Sequence, residues 1–144
     1  MENKLFKNSD KEKPYIFSME MEVRDYELDC EKIVNNANYL HYFEHTRHKF
    51  CESAGLSFIE MVNRNIITVV KKIEIEYFSP LKSRDKFTSA LRVEREGIKF
   101  IFYQDIFTSK DHLNARAKVS IVSIVNGKLS RGNEIAEIFE KYLS

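Results

Sequence analysis

The stretch that decides the fold is NYLHYFEHTRHKFCESA, residues 38–54. Its apolar side chains recur at spacings of three and four, which is typical of a helix with one buried face. That face is expected to carry Tyr39, Leu40, Phe43, Thr46, Phe50, Cys51 and Ala54. Asn35, Asn36 and Asn38 are candidate caps for the start of the helix, and Gly55 suits the position just after its end.

Segments on both sides of this helix alternate apolar and polar side chains, which indicates strands with one buried face. One segment precedes the helix, residues 17–23, and four follow it, residues 67–77, 87–93, 99–108 and 113–125. Within residues 67–77 one parity is shared by Ile67, Val69, Ile73, Ile75 and Tyr77, and it is interrupted only by Lys71. A short helix over residues 58–63 and a final helix over residues 134–143 complete the chain.

The order of these elements contains no alternation of single strands and helices and no internal repeat. It therefore predicts an α+β domain in which a five-stranded antiparallel sheet wraps around the long central helix. One helix covers only part of such a sheet, so self-association is expected to cover more of it.

The composition excludes several other classes of protein. The net charge of +1 gives no basis for binding nucleic acid. Two cysteines cannot form a disulfide framework, and no apolar run approaches the ~20 residues that span a bilayer. The first residues also lack the apolar segment of a signal peptide, so a cytoplasmic protein without a membrane span is expected. Residues 1–14 are predicted to be a flexible tail, and residues 15–144 a single domain.

The segment between the first strand and the long helix carries the candidate chemistry. Asp25, Glu27 and Asp29 stand at alternate positions before the asparagine-rich start of the helix. Free amides at a helix N-terminus favour an anion, and a nearby carboxylate can attack a carbonyl or activate water towards it. The same residues also fit a loop whose acids and asparagines only contact water and cap the helix. The pattern leaves both interpretations open.

This segment, with its continuation into the helix, resembles the hotdog-fold acyl-CoA thioesterases of the 4-hydroxybenzoyl-CoA thioesterase family. Glu27 stands at the family's first acid position and Asp29 at the catalytic one, and Asn38-Tyr39 matches the opening of the central helix. Residues 75–81, followed by Asp85, resemble the family's second strand and its exit. The resemblance extends over about residues 17–125 and implies a hotdog fold.

The resemblance implies hydrolysis of an acyl-CoA or acyl carrier protein thioester, with no cofactor besides the coenzyme A of the substrate. Asp29 would be the nucleophile or the general base, and the backbone N–H groups of Asn36 and Ala37 would stabilise the oxyanion. Supporting roles are implied for Glu27, Asn38, Tyr39 and Glu44. Lys128 and Arg131 are the candidate ligands of the coenzyme A phosphates. The resemblance further implies a homodimer or tetramer with substrate at the junction of two subunits.

Two positions depart from the family pattern. Lys32 stands where the family has a glycine, three residues after the catalytic acid, and this substitution is expected to alter the turn or narrow the entrance. Asn36 stands where a histidine or tyrosine is often found. The backbone N–H of that residue barely depends on its side chain, so the departures concern the choice of substrate more than the class of reaction.

Other interpretations remain to be tested. Residues 41–45 spell the inverted zinc-protease motif H-x-x-E-H, with His48 nearby, although such short matches are common by chance and no metal is expected. Cys30, next to Asp29, is a potential nucleophile without a recognisable histidine partner. A hotdog dehydratase or isomerase would need a histidine, and all four histidines lie away from the loop. A module that binds acyl thioesters without turnover is the non-enzymatic alternative.

Overall fold

A computed structural model describes residues 13–143 of the protein. Most of the predicted tail, residues 1–12, lies outside the described residues. The strands are β1 (Phe17–Glu22), β2 (Ile66–Tyr77), β3 (Lys86–Glu96), β4 (Lys99–Ser109), β5 (His112–Val125) and β6 (Lys128–Leu129). The helices are α1 (Asn36–Ser53), α2 (Phe58–Asn63) and α3 (Asn133–Phe139), with single 3₁₀ turns at Asp25–Glu27 and Glu140–Tyr142.

The strands form one antiparallel sheet in the order β1-β3-β4-β5-β2, and β6 pairs with the end of β5. The predicted five strands are confirmed, and the sequence Asn126-Gly127 adds the sixth because the chain turns back there with both residues at positive φ. The strands β1 and β2 are the two edges of the sheet. The inner face of the sheet packs against α1.

The centre of this packing is Phe50, which is fully buried on α1. The rings of Phe17, Phe102, Phe139 and Tyr142 surround it with centroid distances of 5.1 to 6.1 Å. These four rings belong to β1, β4, α3 and the C-terminal 3₁₀ turn. A single side chain of the central helix therefore joins both ends of the chain to the middle of the sheet, which explains why the helical stripe in the sequence predicts the fold.

The helix α1 begins at Asn36, two residues before the predicted start, because the Asn35 side chain accepts the Ala37 amide as an N-cap. The prediction that Leu40 is buried is wrong, since 39% of its surface is exposed. Tyr42 is buried instead: its ring packs against Phe87, and its hydroxyl donates to Glu27 in the preceding loop. The buried face of α1 is thus displaced towards that loop.

A β-bulge in β2 divides the strand into two halves with opposite orientations. Val70 pairs with Ile121 and Lys72 with Ser120, so Lys71 is the extra residue. The prediction of one shared face for the apolar residues of this strand is therefore wrong. Before the bulge, Ile67 and Val69 lie on the outer face, whereas after it the inner face carries Ile73, Ile75 and Tyr77, which pair with Val119, Ala117 and Ala115.

No helix in the described part of the chain combines the length and the apolar character needed to cross a membrane. The longest, α1, has 18 residues and carries exposed histidine and glutamate side chains along one side.

Candidate active site

The chain between β1 and α1 forms a short hairpin against the start of the helix. The Asn35 amide donates to the Glu27 carbonyl at 3.0 Å, and the Asp29 amide donates to the Ile33 carbonyl at 2.8 Å. These two pairs fix the alignment of the hairpin arms. They place Asp29 at the tip of the hairpin and Asn36 at its base, at the N-terminus of α1.

Lys32 closes the tip of this hairpin in the left-handed conformation, with φ of 63°. Its amide donates to the Asp29 carbonyl at 3.0 Å. A residue with a Cβ atom pays roughly 1–2 kcal/mol for this conformation, whereas glycine adopts it freely. Lys32 thus takes the left-handed conformation that favours glycine, and the expectation that it alters the turn or narrows the entrance stays a prediction.

The Asp29 side chain is half-buried at the tip of the hairpin. Its Oδ1 atom accepts the Glu31 amide at 2.8 Å, which is the one hydrogen bond of this carboxylate within residues 13–143. The bond fixes the carboxylate on its own turn and leaves the second oxygen for other partners. Asp29 makes no direct hydrogen bond to the amides that begin α1.

The first amides of α1 differ in their partners. The Ala37 amide donates to Asn35 Oδ1 at 2.9 Å, and the Asn38 amide donates to the Asn35 carbonyl at 2.9 Å. The Asn36 amide donates to no group of the described chain. Of the two predicted oxyanion donors, Asn36 is therefore free to bind an anion. Ala37 is not, because an N-cap side chain bonds the second helical amide.

A small pocket of ≈ 230 Å³ lies beside Asn36. It is lined by Ile33, Val34, Asn36, Tyr39, Tyr77, Phe78, Ser79 and Pro80. The Tyr77 hydroxyl donates to the Asn36 carbonyl at 3.3 Å, and its ring meets that of Tyr39 edge-on at 5.1 Å. Asn36, whose amide is unpaired, thus borders a pocket with aromatic side chains in its walls, and a carbonyl oxygen bound there could accept this amide.

Glu27 holds the hairpin against α1. Only 7% of its surface is exposed, and its Oε1 atom accepts the Arg24 amide at 2.7 Å and the Tyr42 hydroxyl at 2.9 Å. Burial, and then the bond to Glu27, raise the pKa of Tyr42 well above its ordinary value. The tyrosine therefore stays a neutral donor to this carboxylate. These contacts are those of a residue that positions the hairpin on α1.

Two further supporting residues also contact the loops around the site. The Asn38 side chain donates to the Glu27 carbonyl at 2.8 Å. The Tyr39 hydroxyl accepts the Leu81 amide at 3.1 Å, and burial raises the pKa of this tyrosine. Both side chains tie the first turn of α1 to neighbouring loops, so they support the position of the Asn36 amide without reaching Asp29.

Glu44, the remaining supporting candidate, lies elsewhere. It follows Asn36 by eight residues, which is about 12 Å along a helix axis. It lines an open cleft of ≈ 870 Å³ between the polar side of α1, the strand β1 and the hairpin, together with His41, His45 and His48. The structure does not bring Glu44 to the pocket beside Asn36.

The zinc motif does not form a metal site in the described residues, which contain no group of three or more His, Cys, Asp or Glu side chains placed to hold an ion. His41 Nδ1 lies 3.3 Å from Asn38 Oδ1, and the His48 ring packs against Phe58 at 5.2 Å. His45 is exposed. The three histidines are therefore spread along the polar side of α1.

Lys128 and Arg131 lie far from the pocket beside Asn36 in the same chain. Lys128 pairs with Val125 at the end of β5, whereas Tyr77, at that pocket, pairs with Ala115. The ten residue steps of β5 from Ala115 to Val125 span about 33 Å along the strand. Both cations are exposed. Within one subunit they cannot bind the phosphates of a coenzyme A whose thioester lies at Asn36.

One histidine lies closer to the pocket than the sequence suggests. The His112 Nε2 atom is 2.9 Å from the hydroxyl of Ser79, which lines the pocket beside Asn36. The pairing depends on the turn after β2 meeting the start of β5, which local sequence does not reveal. Cys30 is exposed and has no histidine as a hydrogen-bond partner within residues 13–143.

Sequence reasoning missed a second cavity, ≈ 230 Å³ in volume, between α1 and the sheet. Its two buried polar side chains are Arg47 and Ser123. Both interrupt apolar patterns: Arg47 stands in the buried stripe of α1, and Ser123 occupies an inward position of β5. The sequence feature that could have indicated this cavity is a polar residue at a position where the apolar pattern points towards the core.

Comparisons with known proteins agree with this architecture. The sequence profile of the thioesterase-like superfamily matches residues 23–141. Among curated proteins, the chloroplastic acyl-acyl carrier protein thioesterase ATL3 of Arabidopsis thaliana is 36% identical over 85 residues, 59% of this chain and 45% of that protein. The chain thus spans about half the length of this relative.

Solved structures share the whole fold. A hypothetical protein of Aquifex aeolicus, AQ1494, superposes with a TM-score of 0.77 and 31% identity, covering 85% of this chain and 98% of that one. The probable thioesterase YbaW of Escherichia coli gives a TM-score of 0.74 and 28% identity, covering 88% and 98%. The predicted hotdog fold is confirmed. With the profile covering most of its length, the chain belongs to the thioesterase-like superfamily.

Proposed function

We propose that this protein hydrolyses the thioester bond of an acyl-CoA or an acyl carrier protein. The observation that carries the proposal is the unpaired Asn36 amide at the N-terminus of the 18-residue helix α1, beside a pocket with aromatic walls. A thioester carbonyl in that pocket would accept the amide, and the helix dipole would favour the negative charge that develops on its oxygen. Membership of the thioesterase-like superfamily supports the same reaction.

In this mechanism the Asn36 amide stabilises the oxyanion, a contribution of about 2.7–4 kcal/mol for one such donor. Asp29 supplies the carboxylate. It either attacks the carbonyl carbon, forming a mixed anhydride that water then hydrolyses, or removes a proton from an attacking water. Both routes release the free thiol and the acid, and neither needs a cofactor. The hydrogen bond from the Glu31 amide to Oδ1 holds the Asp29 carboxylate in place, and the Oδ2 atom is the one that attacks the carbonyl carbon or accepts the proton of water.

The test is release of free thiol from a panel of acyl-CoA and acyl carrier protein thioesters of increasing chain length. We expect turnover with at least one chain length. A protein that binds the thioesters tightly but releases no thiol from any of them would be a binding module, a dehydratase or an isomerase, and the proposal would be wrong.

We further propose that the active form contains a second copy of the chain paired at β2. This edge strand has five large apolar side chains with 38–56% of their surface exposed: Ile67, Val69, Val70, Ile73 and Tyr77. A long apolar edge strand tends to pair with another strand. Around a two-fold axis at Ile73, Lys72 would lie opposite Glu74 of the partner subunit, so the charges are self-complementary.

This dimer would also bring together parts that are distant in one chain. The two copies of β2 would run antiparallel, so the start of β2 in one copy would lie near the end of β2 in the other. The pocket beside Asn36 adjoins the end of this strand, whereas Lys128 and Arg131 lie near its start. The phosphates of coenzyme A would then meet these cations from the opposite subunit.

The variant Ile73→Arg tests this pairing. It would place two arginine side chains directly opposite each other across the axis, with their Cβ atoms about 5 Å apart, and like charges opposite each other destabilise strand pairs. We expect light scattering after size-exclusion chromatography to show a dimer for the parent and mainly monomer for the variant. Ser18→Arg, on the opposite edge strand β1, is the matched control and should remain dimeric. A monomeric parent protein would overturn the proposed pairing.

A further inference from the structure

The cavity between α1 and the sheet has the features of a ligand site. Its walls come from the second half of α1, from β2, β4 and β5, and from α3, and most of them are apolar. The lining residues are Glu44, Arg47, His48, Cys51, Leu56, Phe58, Thr68, Val70, Phe100, Phe102, Ile121, Ser123, Ile135 and Phe139. Glu44 and His48 also line the large open cleft, so the cavity adjoins that cleft at these residues.

Ser123 lines this cavity and is fully buried. Its Oγ atom has no hydrogen-bond partner within residues 13–143. Nearly all buried polar side chains in proteins are hydrogen-bonded, and an unpaired one costs free energy. Replacing Ser123 by alanine would remove this free-energy cost without changing the strand. The hydroxyl therefore calls for a partner from outside the chain, and the cavity is where such a partner would lie.

Arg47 provides a second donor on the opposite wall. Only 6% of its surface is exposed, and its Nη1 atom donates to Gln104 Oε1 at 2.9 Å. Gln104 in turn donates to the Phe43 carbonyl at 3.0 Å, so this end of the guanidinium is fixed. The guanidinium has five N–H donors and accepts nothing. Burial lowers the pKa of Arg47.

The size of the cavity limits what it can hold. A cavity of about 150 Å³ lined by apolar side chains accommodates benzene, with its six carbons, so ≈ 230 Å³ corresponds to at most about nine carbons. The walls would bury an alkyl chain or a ring, and both polar side chains are hydrogen-bond donors. An all-carbon ligand would leave the Ser123 hydroxyl unpaired, whereas an oxygen acceptor would satisfy it.

We propose that this cavity binds the acyl group of the thioester and selects an acyl group of up to about nine carbons that carries an oxygen acceptor away from its thioester end. Ser123 and Arg47 donate hydrogen bonds to that oxygen. The inference rests on the proposed thioesterase function. In the proposed dimer the start of β2, which contributes Thr68 and Val70 to the cavity, lies beside the end of this strand in the second copy.

The experiment compares acyl-CoA thioesters of equal chain length that are unsubstituted, hydroxylated or carboxylated at the far end. We expect the parent protein to prefer an oxygenated substrate in kcat/KM by about tenfold, the value of one well-placed hydrogen bond. Ser123→Ala should reduce this preference, because only Arg47 then donates to the oxygen. The variant should be at least as stable as the parent, because it removes an unpaired buried hydroxyl.

The matched control is Ser120→Ala, on the same strand but on the outer face of the sheet, which should keep the preference. A preference for the hydroxyl or for the carboxylate identifies which oxygen the site binds. Equal rates with all three substrates, or a preference unaffected by Ser123→Ala, would overturn the inference. If no thiol is released, calorimetric titration with the corresponding thioether analogues of the acyl-CoA molecules tests the cavity separately from the proposed hydrolysis.

Discussion

Replacement of Asp29 by asparagine is expected to lower kcat for thioester hydrolysis by about 10²- to 10⁴-fold, the usual contribution of a carboxylate that transfers a proton or attacks the substrate. Asparagine keeps the Oδ1 atom that accepts the Glu31 amide, so the turn should persist. It removes only the negative charge. Steady-state thiol release with the best substrate of the panel measures the effect.

The matched control for this variant is Asp25→Asn. Asp25 belongs to the same loop, and its Oδ1 atom accepts the Ser83 hydroxyl at 2.7 Å, a bond that asparagine can also accept. We expect this control to retain most of the activity. KM should change little in either variant, because the carboxylates do not contact the bulk of the substrate. An Asp29→Asn protein with activity close to that of the parent would remove Asp29 from the mechanism.

The second large effect is expected for Glu27→Ala, which should lower the free energy of unfolding by about 2–4 kcal/mol. The substitution leaves the buried Tyr42 hydroxyl without its acceptor and frees the Arg24 amide. It also loosens the hairpin that carries Asp29, so activity should decrease with stability. Glu27→Gln retains an acceptor oxygen and should cost much less. Denaturant unfolding at neutral pH measures both variants.

A double-mutant cycle with Tyr42→Phe separates this bond from the rest of the loop. If the bond matters, Glu27→Ala should cost about 1 kcal/mol less in the Tyr42→Phe background, because the acceptor has already lost its donor. The same cost in both backgrounds would mean that Glu27 stabilises the loop by other contacts, such as its bond to the Arg24 amide.

Much of the fold can be read from local patterns. The spacing of Tyr39, Phe43 and Phe50 predicts the central helix, because a helix that packs on a sheet must present its apolar side chains every three or four residues. The bulge at Lys71 could not be predicted in the same way. Its effect depends on how β2 aligns with β5, and apolar alternation is equally compatible with a regular strand.

In the candidate site, too, the local features can be predicted from the sequence and the long-range contacts cannot. The acids around Asp29 and the capping asparagines are local features, so the sequence indicates the chemistry and the helix start. Which amide remains unpaired depends on the rotamer of Asn35, which bonds Ala37 and leaves Asn36 free. The cavity at Ser123 depends on pairing with Thr68, more than fifty residues earlier in the chain. Contacts between residues that are distant in the chain depend on how the strands pair in the folded sheet, so the spacing of residues in the sequence does not reveal them.

The extra residue at Lys71 has a consequence for how this protein can change during evolution. Side chains of a strand alternate between its faces, so losing one residue there would reverse the first half of β2. Ile67 and Val69 would then turn towards α1, and Thr68 and Val70 would turn outwards. A single-codon deletion could therefore exchange Thr68 and Val70 for Ile67 and Val69 in the wall of the proposed acyl cavity, which removes one hydroxyl from that wall, while the order of strands stays the same.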